Sequence, residues 1–174
     1  PLGIGGFITT KATKLNVSFA GGNGSDSLNL DMPETGSARY EIGSPNISAI
    51  AGLNAGIKWV TDVGIENITA HKYRLISKLI KELENFRKVT VYKPKKEDFI
   101  TGVISFVVDG YESSDVGQIL DDEFDIAVRT GYHCAPTVHK IIDDTAYGGT
   151  VRVSVGYFNT EDDIDKLIEA IRSL

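Results

Sequence analysis

Cysteine is almost absent: Cys134 is the only one among 174 residues. One thiol cannot close an internal bridge, so a disulfide-stapled fold is excluded and the composition suits a reducing compartment. Cations are in deficit too, with 18 Lys and Arg against 24 Asp and Glu and a formal net charge of −6. Nucleic-acid binding through phosphates needs clustered Lys and Arg, and the acidic balance argues against it. Long apolar runs are also missing. The longest, Val103 to Val108, is broken by Ser105 and falls far short of the roughly 20 residues a membrane span requires. The chain opens on Pro1, its only methionine is Met32, and no secretory leader precedes the first elements. The expectation is a cytoplasmic stretch of a longer protein, without membrane or nucleic-acid partners.

What is present is enough for one domain or slightly more, at roughly 150 residues per domain. Pro1 to Gly6 reads as a Gly-rich turn entering a short strand at Phe7–Thr10. From Lys11 to Ser44 no period is sustained, which predicts loop. Ile47, Ile50, Ala51, Ile57 and Val60 recur at helical spacing, with Asn46 available as a cap. A second helix spans about Ile65 to Phe86, its stripe made by Ile68, Ile76, Leu79, Ile80 and Leu83. Strands are expected at Val89–Tyr92, Gly102–Val108 and Ile126–Val128, and a short Ser-capped helix at Ser113–Leu120. Val151, Val153 and Val155 alternate with Arg152 and Ser154, so a strand here buries the valines and presents Arg152 on the opposite face. Thr160 caps a last helix with Ile164, Leu167, Ile168 and Ile171 on one stripe; Glu161, Asp162 and Asp163 occupy its first turn, where the helix dipole favours anions. Helices interleaved with short strands give an α/β fold, an α+β sandwich over residues 61–174, with residues 1–60 belonging to something else.

The densest chemistry lies in Arg129-Thr130-Gly131-Tyr132-His133-Cys134-Ala135-Pro136, placed in a loop after a strand. A positive neighbour moves a thiol toward the nucleophilic thiolate; Arg129 offers that charge permanently and His133 conditionally. The alternative is a small buried hydrophobe. A zinc site from His133, Cys134, His139 and Asp143 or Asp144 has no recognised spacing, and no metal is expected. His71 falls on a basic, solvated helix face. Arg152 is placed either to grip a carboxylate or to form a surface ion pair. Gly43-Ser44-Pro45-Asn46 precedes a helix, where free N–H groups and a hydroxyl suit a phosphate, or simply cap the helix.

Together these residues resemble the class V, fold-type I family of pyridoxal 5′-phosphate proteins, and within it the cysteine desulfurases and selenocysteine lyases. The family motif R-x-G-x-H-C-A stands here as Arg129, Gly131, His133, Cys134 and Ala135. Its R-x-E-x-G-[ST]-P-N segment stands as Arg39, Glu41, Gly43, Ser44, Pro45 and Asn46. Its R-[VF]-S strand and Y-x-N-T stand as Arg152-Val153-Ser154 and Tyr157-Phe158-Asn159-Thr160. The resemblance implies that Cys134 takes sulfur from L-cysteine as a persulfide and releases alanine, for delivery to a sulfur-acceptor protein. It implies that Arg152 holds the substrate carboxylate, that Arg129 and His133 tune the thiol or line the entrance, and that Ser44, with Gly43 and Asn46, meets the cofactor phosphate, usually that of a second subunit in a homodimer. Residues 1–60 would then be a remnant of the large cofactor-binding domain and 61–174 the small C-terminal domain. The family's cofactor-bearing lysine lies before the turn that Pro1 to Gly6 matches, so this stretch alone is expected to be inactive. The resemblance also admits an aminotransferase or lyase for another amino acid, selenocysteine included, or a non-catalytic dimerisation and acceptor-docking module. His133-Cys134-Ala135-Pro136 is one residue shorter than the H-C-A-Q-P of many desulfurases, and residues 137–150 form a longer connection.

Overall fold

The computed structural model describes residues 2–10, 13, 15–24, 28–96 and 101–174. The chain divides into two compact units, Pro1–Asp62 and Val63–Leu174. Among the described residues no helix is long and apolar enough to cross a membrane.

The first unit holds turns, a single 3-10 turn at Ser37–Arg39 and the helix α1 (Ile47–Val63). The strand expected at Phe7–Thr10 does not form. Ile8 is wholly exposed, and an extended segment with no partner has no ladder to hold it. At the start of α1 the Asn46 side-chain oxygen accepts the Ala49 N–H at 3.1 Å, the cap its sequence predicts.

The second unit is a two-layer sandwich. Its strands β1 (Val89–Tyr92), β2 (Val103–Val108), β3 (Arg129–Gly131) and β4 (Thr150–Ser154) form one antiparallel sheet in the order β1-β2-β4-β3. Ile104, Phe106, Val108, Val151 and Val153 face helices α2 (Ile65–Leu83), α3 (Ser113–Phe124) and α5 (Glu161–Arg172), whose Leu75, Ile76, Leu79, Val116, Leu120, Ile164, Leu167 and Ile168 complete the core. The 3.6 and 2 periods of the sequence meet here: each helix contributes one stripe and each strand one face. Thr160 and Asp163 form a reciprocal capping box on α5, and these bonds, first the Thr160 N–H and then the Asn159 amide, hold the Asp163 carboxyl below its usual range.

Three boundaries differ from the sequence reading. Helix α2 ends at Leu83, not Phe86, where Glu84 to Phe86 tighten into turns. Helix α3 runs on to Phe124 until Asp125 turns left-handed; its N-cap is Glu112, while the Ser113 hydroxyl instead donates to the Gly148 carbonyl at 3.2 Å. No strand forms at Ile126–Val128. Ile126 and Val128 pack against the core, and the ladder with β4 starts at Arg129, opposite Arg152. The motif placed in a loop therefore begins on an edge strand.

Candidate active site

The sheet face turned away from α2, α3 and α5 carries Ser105 from β2 and Arg152 from β4, directly paired, with Arg129 of β3 opposite Arg152 on the other side. Period-2 alternation puts this polar row behind the core valines, as the sequence predicts. Two guanidinium groups thus stand on adjacent strands. Among the described residues no carboxylate lies within ion-pair distance of either, and the Arg152 Nε is buried without a hydrogen-bond partner. The surface ion pair considered for Arg152 is not formed.

Beyond β3 the chain reverses in a turn closed by the Ala135 N–H donating to the Tyr132 carbonyl at 2.8 Å. Its two central residues, His133 and Cys134, have φ of 51° and 60°, the signature of a type I′ turn. That conformation is usual for Gly and Asn and is strained for other side chains. The turn carries Cys134 out to solvent, so the thiol is not the buried hydrophobe that a lone cysteine commonly is. The Arg129 Nη2 donates to its sulfur at 3.4 Å.

His133 folds back: its Nε2 lies 2.9 Å from the Thr150 hydroxyl, and its Nδ1 is buried without a partner. Burial first, then the Arg152 and His139 charges, lower its pKa below the ordinary 6.5. The imidazole is therefore neutral at neutral pH. After the turn, Pro136 opens helix α4 (Pro136–Ile142), which lays His139 over this face. His139 is 3% exposed and its Nδ1–H donates to Asp144, which is fully buried. Helix α4 ends at Asp143 in the left-handed region. A 3-10 turn at Thr145–Tyr147 then leads to Gly148-Gly149 and β4. Gly149 is obligatory: at φ +98° it lies against the Gly131 backbone, where an added Cβ would come within 2.4 Å.

Tyr92, Ser105, His133, Val138, His139 and Arg152 are among the walls of an open cleft of about 580 Å³, a size that suits a small ligand. A larger hollow of about 770 Å³ in the first unit is walled by residues 20–24 and 29–33, with Asp31 the only charged side chain among the described residues lining it. The structure thus brings Arg129, His133, Cys134 and Arg152 together. Gly43, Ser44 and Asn46 belong to the other unit. There Gly43 turns at φ +77° and Ser44 is exposed ahead of α1, whose first N–H groups a helix cannot satisfy internally.

Sequence reasoning weighed His139 and Asp144 only as zinc ligands; they are committed to each other, and among the described residues no group of three or more His, Cys, Asp or Glu has metal-binding geometry. Their spacing across a seven-residue helix offered no periodic signal. His71 is not merely solvated: its Nε2 pairs with the Asn159 carbonyl at 2.9 Å and its ring meets Tyr157, tying α2 to the segment before α5.

A mixed α/β sandwich with a thiol turn and two arginines on one sheet face has a recognisable kin. The chain belongs to the class-V aminotransferase family, whose profile matches residues 1–167, and its likeness runs to the cysteine desulfurases. A probable cysteine desulfurase of Mycobacterium leprae is 34% identical over 133 residues, 76% of this chain and 31% of that protein. A cysteine desulfurase of Escherichia coli is 32% identical over 136 residues, 78% of this chain and 32% of its own. The apo cysteine desulfurase of Thermococcus onnurineus superposes with a TM-score of 0.70 at 33% identity, covering 79% of this chain and 34% of that one. The chain therefore spans about a third of the length of the relatives it matches.

Proposed function

We propose that these 174 residues are the C-terminal part of a pyridoxal-phosphate-dependent cysteine desulfurase, in which Cys134 takes the sulfur of L-cysteine. The observation that carries this reading is the exposed Cys134 sulfur at 3.4 Å from the Arg129 guanidinium, with Arg129 paired across the ladder with Arg152, whose buried Nε has no hydrogen-bond partner. The Arg129 cation faces the sulfur that must attack. The Cys134 sulfur bonds to the sulfur of the substrate, the substrate's carbon–sulfur bond breaks, and its electron pair stays with the carbon skeleton, which gains a proton and leaves as alanine. Arg152 offers a fork of donors to the substrate carboxylate, and a partner there would also satisfy its buried Nε. Orienting the amino acid in this way brings the two sulfurs to reacting distance.

Pyridoxal phosphate, when bound, supplies the electron sink that labilises bonds around the amino acid's α-carbon. Ser44, with Gly43 and Asn46, would hold its phosphate: the hydroxyl is exposed, the backbone turns sharply, and the helix N-terminus behind it favours an anion. In this reading residues 1–60 are a remnant of the large cofactor-binding domain, 61–174 form the small domain, and the working unit is a homodimer that passes sulfur to an acceptor protein in the cytoplasm. The test is incubation of the full-length protein with L-cysteine. Alanine and a persulfide mapped to Cys134 are expected, and both vanish in Cys134→Ser. Alanine and sulfide released at the wild-type rate by Cys134→Ser would remove the assigned role. Transamination of 2-oxo acids that survives Cys134→Ala would point to an aminotransferase instead.

A further inference from the structure

The mechanism leaves one buried polar pair unused. His139 and Asp144 are 3% and 0% exposed, joined through Nδ1 and Oδ2, and the second Asp144 oxygen has no partner. A buried acceptor with nothing to accept from is costly, and an apolar pair of similar volume would often be as stable or more so. Fold stability alone does not account for such a pair.

Its surroundings do. The His139 ring stands edge-on to Tyr132 at 5.1 Å between centroids and lies 5.8 Å from the His133 ring. Tyr132 and His133 are the first two residues of the turn whose third is Cys134. Two consecutive non-glycine residues in the left-handed region persist only where the surroundings over-determine them. The Thr150 hydroxyl fixes one end of His133, and the His139 ring lies against it.

We infer that His139 and Asp144 are a positioning pair for the thiol turn: the carboxylate fixes the imidazole, and the imidazole holds Tyr132 and His133 so that Cys134 stays against Arg129. The inference rests on the reading of Cys134 as a functional thiol, but not on its substrate. Neither residue is required to touch the reacting atoms.

The test is the rate at which iodoacetamide alkylates Cys134 in the full-length protein, followed by mass spectrometry of the Cys134 peptide at one fixed pH. His139→Leu/Asp144→Leu replaces the pair with apolar groups and deletes the ring, and His139→Asn keeps an N–H for Asp144 while also deleting it. Both variants should retain the wild-type far-UV spectrum yet alkylate about tenfold more slowly, the scale on which losing an orienting group is felt. Asp144→Asn keeps an acceptor for Nδ1–H and should stay within about twofold of wild type. Wild-type alkylation in either ring-deleting variant, or a slow Asp144→Asn, overturns the inference. Loss of the folded spectrum in both ring-deleting variants also overturns it, because the pair is then a fold element. No cysteine substrate enters this assay, so a wild-type protein that alkylates as stated but makes no alanine refutes the desulfurase reading and leaves the positioning pair standing.

Discussion

Arg152→Met should make the protein more stable and less able to hold its substrate. Arg152 stands directly opposite Arg129 across the β3–β4 ladder, and like charges so placed cost about 0.2–1 kcal/mol. Its Nε is buried without a partner, a penalty of about 1–3 kcal/mol. Methionine keeps an unbranched stem opposite Ser105 while removing both charge and donor. Side-chain packing of the lost guanidinium offsets part of the gain, leaving about 1–2 kcal/mol. For a unit the size of Val63–Leu174 that is a rise of roughly 4–8 °C in Tm, measured by circular dichroism or calorimetry. Raising the salt concentration should lift the wild-type Tm more than the variant's, because only the wild type has the facing Arg129 and Arg152 charges to screen. On the proposed function, in which Arg152 grips the substrate carboxylate, the lost charged hydrogen bonds should raise KM for the amino acid in the full-length protein roughly 30-fold, from about 2 kcal/mol of binding. A fall in Tm of several degrees would refute the reasoning, since Arg152 would then be a net support of the sheet.

Two further outcomes follow from the same face. Gly149→Ala sets a Cβ within 2.4 Å of the Gly131 carbonyl carbon and oxygen at a φ of +98°, so it should destabilise the sheet edge by about 2–4 kcal/mol, read from denaturant midpoints; a change below about 0.5 kcal/mol would mean the two glycines are not in contact. His133 has a folded pKa lowered below 6.5 by burial and then by the Arg152 charge. Protonation therefore favours the unfolded chain, so the contribution is intact above pH 6.5 and is lost as pH falls from there through the folded value. Urea midpoints taken on either side of that window should drop more in wild type than in His133→Asn, and equal drops would remove His133 from the acid limb.

Most of the sandwich was legible because its periods are clean. The α5 stripe, its Thr160 cap and the Val151–Val155 alternation each state one face and one boundary, and all are found. Strand β3 was not legible. Ile126 and Val128 are the more β-prone residues, but the Arg129–Gly131 segment takes the ladder with β4, a tertiary decision that propensity does not contain. The Cys134 site was legible as a cluster of residue types, while its geometry was not: nothing in the sequence announces that His133 and Cys134, neither of them glycine, occupy left-handed conformations. The His139–Asp144 bond was hidden for a similar reason, since five residues spanning a helix end have no fixed separation in space.

The distribution of local faults argues for where the function lies. Among the described residues four buried side-chain polar atoms lack a partner, and three of them belong to residues that line the cleft, His133 and Arg152, or that bond one lining it, Asp144 through His139. Of the four non-glycine residues at positive φ among the described residues, His133, Cys134 and Asp143 lie in the turn or at the end of α4. The core face of the same sheet has a contrary character: its valines, leucines and isoleucines are buried and its helices are stapled by pairs such as Arg74–Glu161 and Lys78–Asp165. One sheet thus has a face that breaks few local rules, the breaches including Ser77 Oγ on α2 and Asp125 after α3, and a face that breaks more. Random imperfection would scatter such breaches over both. Their concentration around one thiol and two arginines is what selection for binding and chemistry leaves behind when stability is supplied from the other side.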